Sequence, residues 1–402
     1  MGRKILIIGA GWEQVPAIEI AREMGYEVYT SDFNPKAPGM ELAHHSFVIS
    51  TNDLEGNAAL VKEHGIDGVM TICSETAIPV VGGICERFGL PGINSTTALQ
   101  ATNKGAMQAA MEAANVAIPA RLCTGILSEA EAFLSQHTGP WVIKPSDSSG
   151  QRATVRIDSP QQLAQAFSDA LGFSTDNQVL IDQFVEGTEI NVTAIIKEGE
   201  ITTLSLANRI TLPPPNFGIA ITHLAPPTIT DDEYQAVDQL SHQAIRAIGL
   251  NHGIAYPQIM VTSEGPKLIE IAARMPGGFN REMAINLSGV DMIKAQIMLS
   301  MGEDFTVSDL RESPQYSASC VKLFTSVDFP EMAGKVLHQV AGLEKAKAVS
   351  GVQKVQFNLK PGDKVPELEN SGGRFAAIIA VADNREQVEA IIAEAKNHIQ
   401  LS

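Results

Sequence analysis

The chain has 402 residues, 44% of them hydrophobic, and a formal net charge of −17. That length implies two to three domains with ample core-forming material. The acidic balance argues against duplex nucleic acid or a membrane surface as partner, since both are met by a basic face. The four cysteines, Cys73, Cys85, Cys123 and Cys320, lie far apart with no C-x-x-C and are expected to be free thiols in a reducing compartment. No leader-type segment and no bilayer-length apolar run is seen, so the cytoplasm is the expected location.

KILIIGAG, residues 4–11, reads as a buried parallel-type strand running into a glycine turn. A helix over about 15–24 follows, then a strand over 26–31 that ends at Asp32. The alternation continues with a strand at 46–50, a helix to about His64, a strand at 68–73, a helix at 79–88 and a short strand near 91–93. This is the pattern of a doubly wound open sheet of roughly a hundred residues. An alanine-rich helix over 96–115 carries Lys104. A small β-rich unit comes next: a strand at 141–144, a Ser/Gly loop, a strand at 153–157, a helix at 160–170 and a strand at 178–184. Longer strands at 190–197 and 201–208 lead into a Pro-rich loop between Asn208 and Pro227 that contains LPPPNFG, residues 212–218. A helix at 231–248 and strands at 254–262 and 267–271 follow. Met275, Met283, Met292, Met298 and Met301 fall at near-helical spacings and are assigned to core. The last ninety or so residues read as a separate α+β unit, with a turn at Gly362-Asp363, the stretch SGGRF (371–375), a strand to Ala382 and a final helix.

Gly9 and Gly11 after the first strand, with Asp32 closing the second, imitate a dinucleotide fingerprint, but the third glycine position is Gln14. Glycine there also simply makes a tight strand–helix turn. VIKPSDSSGQRAT, residues 142–154, matches neither G-x-x-x-x-G-K-[ST] nor G-x-G-x-x-G. It nevertheless delivers Lys144 from a buried strand to a Ser/Gly loop whose N–H groups can form an anion nest. The plain alternative is an exposed lysine before a turn. Against it stand Lys104 in TNKG (102–105) and two elements downstream. In VLIDQFVEGTEIN (179–191) a strand ends in an extended hinge, Asp182-Gln183-Phe184-Val185. Its backbone groups suit an adenine edge, and Glu189 is placed for a ribose diol. In AYPQIMV (255–261) and PKLIEIAARMPGG (266–278), Gln258 and Glu270 lie on consecutive strands as two inward oxygen ligands for Mg²⁺. Arg274 can neutralise a transferring phosphoryl group.

In this order these residues resemble the ATP-grasp ligases, over roughly residues 1–302, and the last unit is similar to the C-terminal unit of the carboxylate–amine (L-amino acid ligase-like) branch. The resemblance implies an α/β fold in three parts: a doubly wound pre-grasp domain at 1–98, a two-part α+β nucleotide-clamping domain at 99–310 with its lid at about 118–186, and a small α+β C-terminal domain at 311–402. It implies that Lys104 and Lys144 contact the phosphates of ATP, and that Ser146, Ser148, Ser149 and Gly150 close over them. Asp182, Gln183, Phe184 and Val185 are then expected to line the adenine, and Glu189 to take the ribose. Gln258 and Glu270 are expected to hold Mg²⁺, with Mn²⁺ able to substitute. Arg274, with Lys144, is expected to be catalytic at the transferred phosphoryl. Two departures stand out: the first metal position, usually a carboxylate, is Gln258, and the usual Asn two residues after the metal Glu is Ala272, which leaves the metal count open.

The activity so implied is ATP-dependent ligation of a small-molecule carboxylate to an amine through an acyl phosphate, with release of ADP and phosphate. Polymeric nucleic acid and membrane are not expected partners, and a homodimer is usual for proteins of this resemblance. Substrate contacts are sought in three places. Glu75 in CSET (73–76) lies at a strand's C-terminal end, where open sheets bind ligands; the alternative is a helix-start carboxylate. Arg209 and His223 flank the Pro-rich loop, with a surface loop as the plain alternative and the preferred one for His223. Gly277, Gly278 and Arg281 lie in RMPGGFNR (274–281), Arg281 being either a carboxylate reader or a solvated helix-start arginine. No H-x-x-H or H-E-x-x-H occurs, so zinc is not expected. Three competing functions are a purine-pathway-like enzyme acting on a nucleotide precursor, an NAD(P)-dependent oxidoreductase using Gly9 and Gly11, and a non-catalytic nucleotide sensor, for which Ala272 is the only encouragement.

Overall fold

Alternation along the first strand builds two layers at once. In the computed structural model, which describes residues 2–147, 152–214, 216–311 and 315–402, β1 (Lys4–Ile8) is buried on both faces. Leu6 and Ile8 join one core with Val61, Val80 and Ile84, while Ile5 and Ile7 join another with Ile18, Ala21 and Val28. Neighbouring side chains of a strand point to opposite faces, so an unbroken apolar run needs cover on both. That cover comes from α1 (Val15–Glu23), α2 (Leu54–His64) and α3 (Ile78–Phe88). β2 (Glu27–Asp32), β3 (His45–Val48) and β4 (Gly68–Met70) complete a parallel sheet in the order β3-β2-β1-β4. The expected strand at 91–93 is absent. The Leu90 N–H bonds back to the Cys85 carbonyl and Gly92 takes φ 148°, so the chain bends away from the sheet after α3.

The alanine-rich stretch forms two helices where one was expected. Asn103 is extended at φ −107°, and its side-chain oxygen accepts from the Ala106 N–H at 2.9 Å. This ends α4 (Ser95–Thr102) and caps α5 (Lys104–Ala113). A good local cap here outweighs the helix propensity of the alanines around it. Lys104 thereby becomes the first residue of a helix.

A second layer is made by β5 (Arg121–Thr124), α6 (Leu127–Gln136), β6 (Trp141–Pro145), β7 (Val155–Ile157), α7 (Leu163–Phe173) and β8 (Val179–Gln183). Its antiparallel sheet runs β5-β8-β6-β7 over a core that includes Trp141, Ile143, Phe167 and Ile181.

The largest sheet holds β9 (Thr188–Lys197), β10 (Glu200–Thr211), β11 (Ala220–Ala225), β12 (Gly253–Thr262) and β13 (Gly265–Ala272), with α8 (Asp231–Ala247) between β11 and β12. After α9 (Asn280–Ser288) and α10 (Met292–Ser300) come β14 (Ala318–Phe324), β15 (Val340–Ala341), α11 (Leu343–Lys347), β16 (Val352–Phe357), β17 (Ala376–Ala382), α12 (Arg385–His398) and β18 (Gln400–Leu401). The eight-stranded order is β13-β12-β9-β10-β11-β14-β17-β16, while β15 pairs with β18 apart. Two expectations change here. Residues 220–225, expected within a loop, are a strand. And the last unit is not separate, because its main strands continue the central sheet through β11–β14, with His223 opposite Val321. An unpaired β11 edge would leave backbone groups unsatisfied, and β14 supplies the partners. Met275, Met283, Met292 and Met301 are buried and Met298 partly so, as the core assignment has it. All four cysteines are free. Among the described residues no helix is long and apolar enough to cross a membrane.

Candidate active site

A cavity of about 650 Å³ opens where the three larger sheets meet, and most of the residues singled out above line it. Its floor is the β12–β13 hairpin. Gln258 and Glu270 are direct cross-strand partners, and Tyr256 pairs with Ala272 one step along the same face. Lys104, at the start of α5, brings its Nζ to 3.8 Å from Glu270 Oε1, and its N–H donates to the Ser146 carbonyl at 2.8 Å. Burial pushes the Glu270 carboxyl up, but Lys104, Lys144, Arg274 and Arg209 together outweigh it and hold it below the usual carboxylate range.

One wall carries a buried ion triad. Asp182 accepts Lys144 Nζ at 2.9 Å and lies 2.8 Å from Arg121 Nε; all three side chains are under 10% exposed, at 7%, 9% and 1%. The Arg121 contact is short but poorly aligned, so it counts as an ion pair rather than a hydrogen bond. Arg121 Nη2 also donates to the Ile269 carbonyl at 3.1 Å. Burial raises Asp182 and the two cations lower it further, leaving it below its ordinary value. Asp182 was expected to line an adenine. It borders the cavity, but its carboxylate is engaged in fixing Lys144.

The hinge after β8 is also partly engaged. The Gln183 and Phe184 N–H groups donate to the Ala120 and Pro140 carbonyls at 2.7 and 2.8 Å. The Phe184 ring has the Arg156 guanidinium 4.3 Å above it and the Phe217 ring edge-on at 5.8 Å. The Pro-rich loop thus folds onto the hinge, fastened by Arg209 Nη2 donating to the Gly218 carbonyl at 2.9 Å. Glu189 lines the cavity too, but its carboxylate is paired with Arg209 at 2.7 Å, so any ribose meets an ion pair there and not a free acid.

Opposite, Arg274 Nε donates to Glu75 at 2.6 Å, so the CSET carboxylate anchors the arginine. His223 is not on a surface loop: it sits on β11, 2% exposed. Its Nδ1 is 3.2 Å from Asn191 Oδ1, Asn191 Nδ2 donates to Asn280 at 3.1 Å, and Asn280 Nδ2 donates to the Gly277 carbonyl at 2.8 Å. Burial first, then Arg209 and Arg374, pushes His223 down to about 3, so it is a neutral spacer between cations. Gly278 and Arg281 line a smaller neighbouring cavity, and Arg281 is tied to Asp291 at 2.6 Å. Ser146 is buried and donates to Asp176 at 2.5 Å. Ser148, Ser149 and Gly150 lie outside the described residues.

Sequence inspection passed over Glu13, Tyr256, Asn280 and Arg374, all of which border the cavity. Glu13 stands in the first strand–helix turn, the place where open sheets bind ligands, which was a usable signal. Burial raises its carboxyl, against Arg374 and Arg274. Arg374 lies in the noted SGGRF stretch, but its reach from the far end of the central sheet is a tertiary fact; burial and then Arg209 lower its pKa. The glycine turn after β1 is filled from within: Asp32 accepts the Ala10 N–H at 2.9 Å, and Gln14 packs on Gly9 and donates to the Ile72 carbonyl at 2.7 Å. Asp32 shapes the turn, and the dinucleotide reading is set aside.

Two oxygen donors opposite one another, a carboxylate and an amide, suit a hard dication. The flanking lysines and arginines suit the phosphates themselves.

The chain matches the family model described as the carbamoyl-phosphate synthase L chain, ATP binding domain, over residues 103–307, and the L-amino acid ligase C-terminal domain 2 over residues 329–402. It is 26% identical to dapdiamide A synthase of Enterobacter agglomerans, over 73% of this chain and 70% of that one. It is 24% identical to human carnosine synthase 1 over 75% of this chain, a match spanning 40% of that longer protein. The crystal structure of an L-amino acid ligase from Bacillus licheniformis superposes with a TM-score of 0.83 at 20% identity, covering 100% of this chain and 98% of that one. With lysines, hinge and carboxylate–amide floor converging on one cavity and the family model spanning half the chain, the protein belongs to the carbamoyl-phosphate synthase ATP-binding-domain family and is an ATP-grasp ligase of the L-amino acid ligase-like branch.

Proposed function

We propose that this ligase joins the carboxylate of one small, amino-acid-like molecule to the amine of another, converting ATP to ADP and phosphate. The observation that carries it is the Gln258–Glu270 pair facing Lys104, Lys144 and Arg274 within one cavity. A carboxylate resists attack because charge builds on charge. Taking the γ-phosphoryl group turns it into an acyl phosphate with a good leaving group, and the amine then displaces phosphate to give an amide.

Each side chain has a part in this. Lys104 adds its charge to the positive end of α5, and Lys144, held by Asp182, meets the same phosphates. An adenine edge is read from Val185 onward, since the two preceding N–H groups are taken, with Phe184 as a flat wall. Glu270 and Gln258 would hold Mg²⁺ or Mn²⁺, which would supply positive charge against the phosphates. Arg274, steadied by Glu75, lies at the transferred group. Glu13 offers charge to an ammonium, while Glu75 is taken up by Arg274. Arg374, with no ion pair among the described residues, offers it to a carboxylate. The acidic chain and free thiols fit a cytoplasmic enzyme, and a homodimer follows from the branch resemblance.

Phosphate release from Mg-ATP, screened over pairs of amino acids with product masses recorded, tests this. The expected result is ADP, phosphate and a product lighter by one water than its two parents. ATP bound with no ligated product from any pair would remove the amino-acid substrates and leave only the nucleotide site.

A further inference from the structure

A second cavity of about 300 Å³ adjoins the first and takes no part in the chemistry above. The two share Glu13, Cys73, Pro276 and Gly277 as a common wall. That wall is thin at Gly277, where a Cβ would lie 2.8 Å from Glu13 Oε1, so a side chain here would displace the carboxylate. Beyond it the surface turns apolar: Val15, Pro16, Met275 and Ile293, with the rings of Trp12 and Phe279 6.3 Å apart.

Trp12 is not placed as a core residue would be, and Phe279 is half-buried at the edge of the core that holds Met283 and Val321. Trp12 is 55% exposed, although Ala10 two residues earlier is fully buried. Phe279 holds φ 62°, a left-handed conformation that a bulky residue rarely adopts and that clusters at functional sites. The tertiary structure holds it there, with the next residue, Asn280, bonding back to Gly277. Apart from Glu13, the cavity's charged lining is paired: Arg281 is tied to Asp291 at 2.6 Å, and Lys354 Nζ is 3.2 Å from Glu282 and 5.2 Å from the Phe279 ring centroid. A pocket with apolar walls and paired charges, adjoining the catalytic cavity at one carboxylate, suits a molecule with one charged and one apolar end.

We propose that this cavity receives the bulky apolar side chain of an α-amino acid substrate whose charged end lies across the Glu13–Gly277 wall in the catalytic cavity. The assignment rests on the amide-forming reading above. It makes Trp12 a specificity residue that touches substrate but not the reacting atoms.

The test uses the intact protein and its Trp12→Ala variant, which alters an exposed side chain. Tryptophan fluorescence is titrated with leucine, methionine, phenylalanine, alanine and glycine. Product formation is measured with each as acid or amine, and product masses tell the two roles apart. The expected result is a saturable fluorescence change with the bulky apolar amino acids, lost in Trp12→Ala and absent with glycine. In turnover, the variant should lose about 10-fold or more in kcat/KM for the bulky substrates and under about 2-fold for alanine, with the KM for ATP unmoved. Equal losses for leucine and alanine, or no saturable change with any amino acid, would overturn the assignment even if ligation proceeds. Saturable binding with no ligated product would leave the cavity assignment standing and bring down the amide-forming reading instead.

Discussion

Replacing Asp182 by Ala leaves Lys144 and Arg121 buried side by side without their shared anion. Both cations are under 10% exposed, at 9% and 1%, so water cannot take the carboxylate's place. Breaking a buried pair by removing one partner costs about 3–5 kcal/mol, because the orphaned charge stays desolvated. At about 2–4 °C per kcal/mol that is a fall in Tm on the order of 10 °C. Phosphate oxygens are the natural substitute anion for Lys144, so Mg-ATP should raise the Tm of Asp182→Ala by more than it raises the parent's. The double variant Asp182→Ala/Lys144→Met should unfold later than Asp182→Ala alone, since it removes a stranded charge. Thermal unfolding with and without nucleotide measures all of this. An Asp182→Ala protein as stable as the parent would refute the reasoning, as would a double variant less stable than the single one.

Glu270→Ala should cut turnover by about 100-fold or more while Mn²⁺ binding to the nucleotide complex, followed by electron spin resonance, is lost; Gln258→Glu should tighten that binding, since it adds a carboxylate where an amide stood. Unchanged Mn²⁺ binding in Glu270→Ala would remove the β12–β13 pair from the metal site. His223 has a folded-state pKa depressed from 6.5 to about 3. The unfolded chain therefore binds the proton first, and the stability it contributes is full above pH 6.5 and lost as pH falls toward 3. Between pH 8 and 5 the loss is about 2 kcal/mol, and His223→Gln should flatten the urea-unfolding profile by that amount; parallel profiles would refute a neutral, buried His223.

Local signals were legible where local physics decides. The apolar run of β1, the hinge after β8 and the hairpin carrying Gln258 and Glu270 follow from alternation and turn residues, and the hairpin's register makes those two residues direct partners. The capping Asn103 was visible in the sequence, yet a run of alanines hid the break it makes.

The order of charged residues along the chain thus pointed to the class of chemistry: two lysines, a hinge and a carboxylate in succession on α5, β6, the end of β8 and β13. Which groups are free to perform it was decided only on folding. Asp182, Glu189 and Glu75 each acquire a cationic partner from another element, Lys144 and Arg121, Arg209, and Arg274 in turn. His223 becomes a core residue because a distant strand, β14, covers the edge of β11. Glu13 and Arg374 meet in one cavity from opposite ends of the chain. Burial and long-range pairing set those outcomes, and neither is encoded within the window of residues over which a sequence pattern repeats.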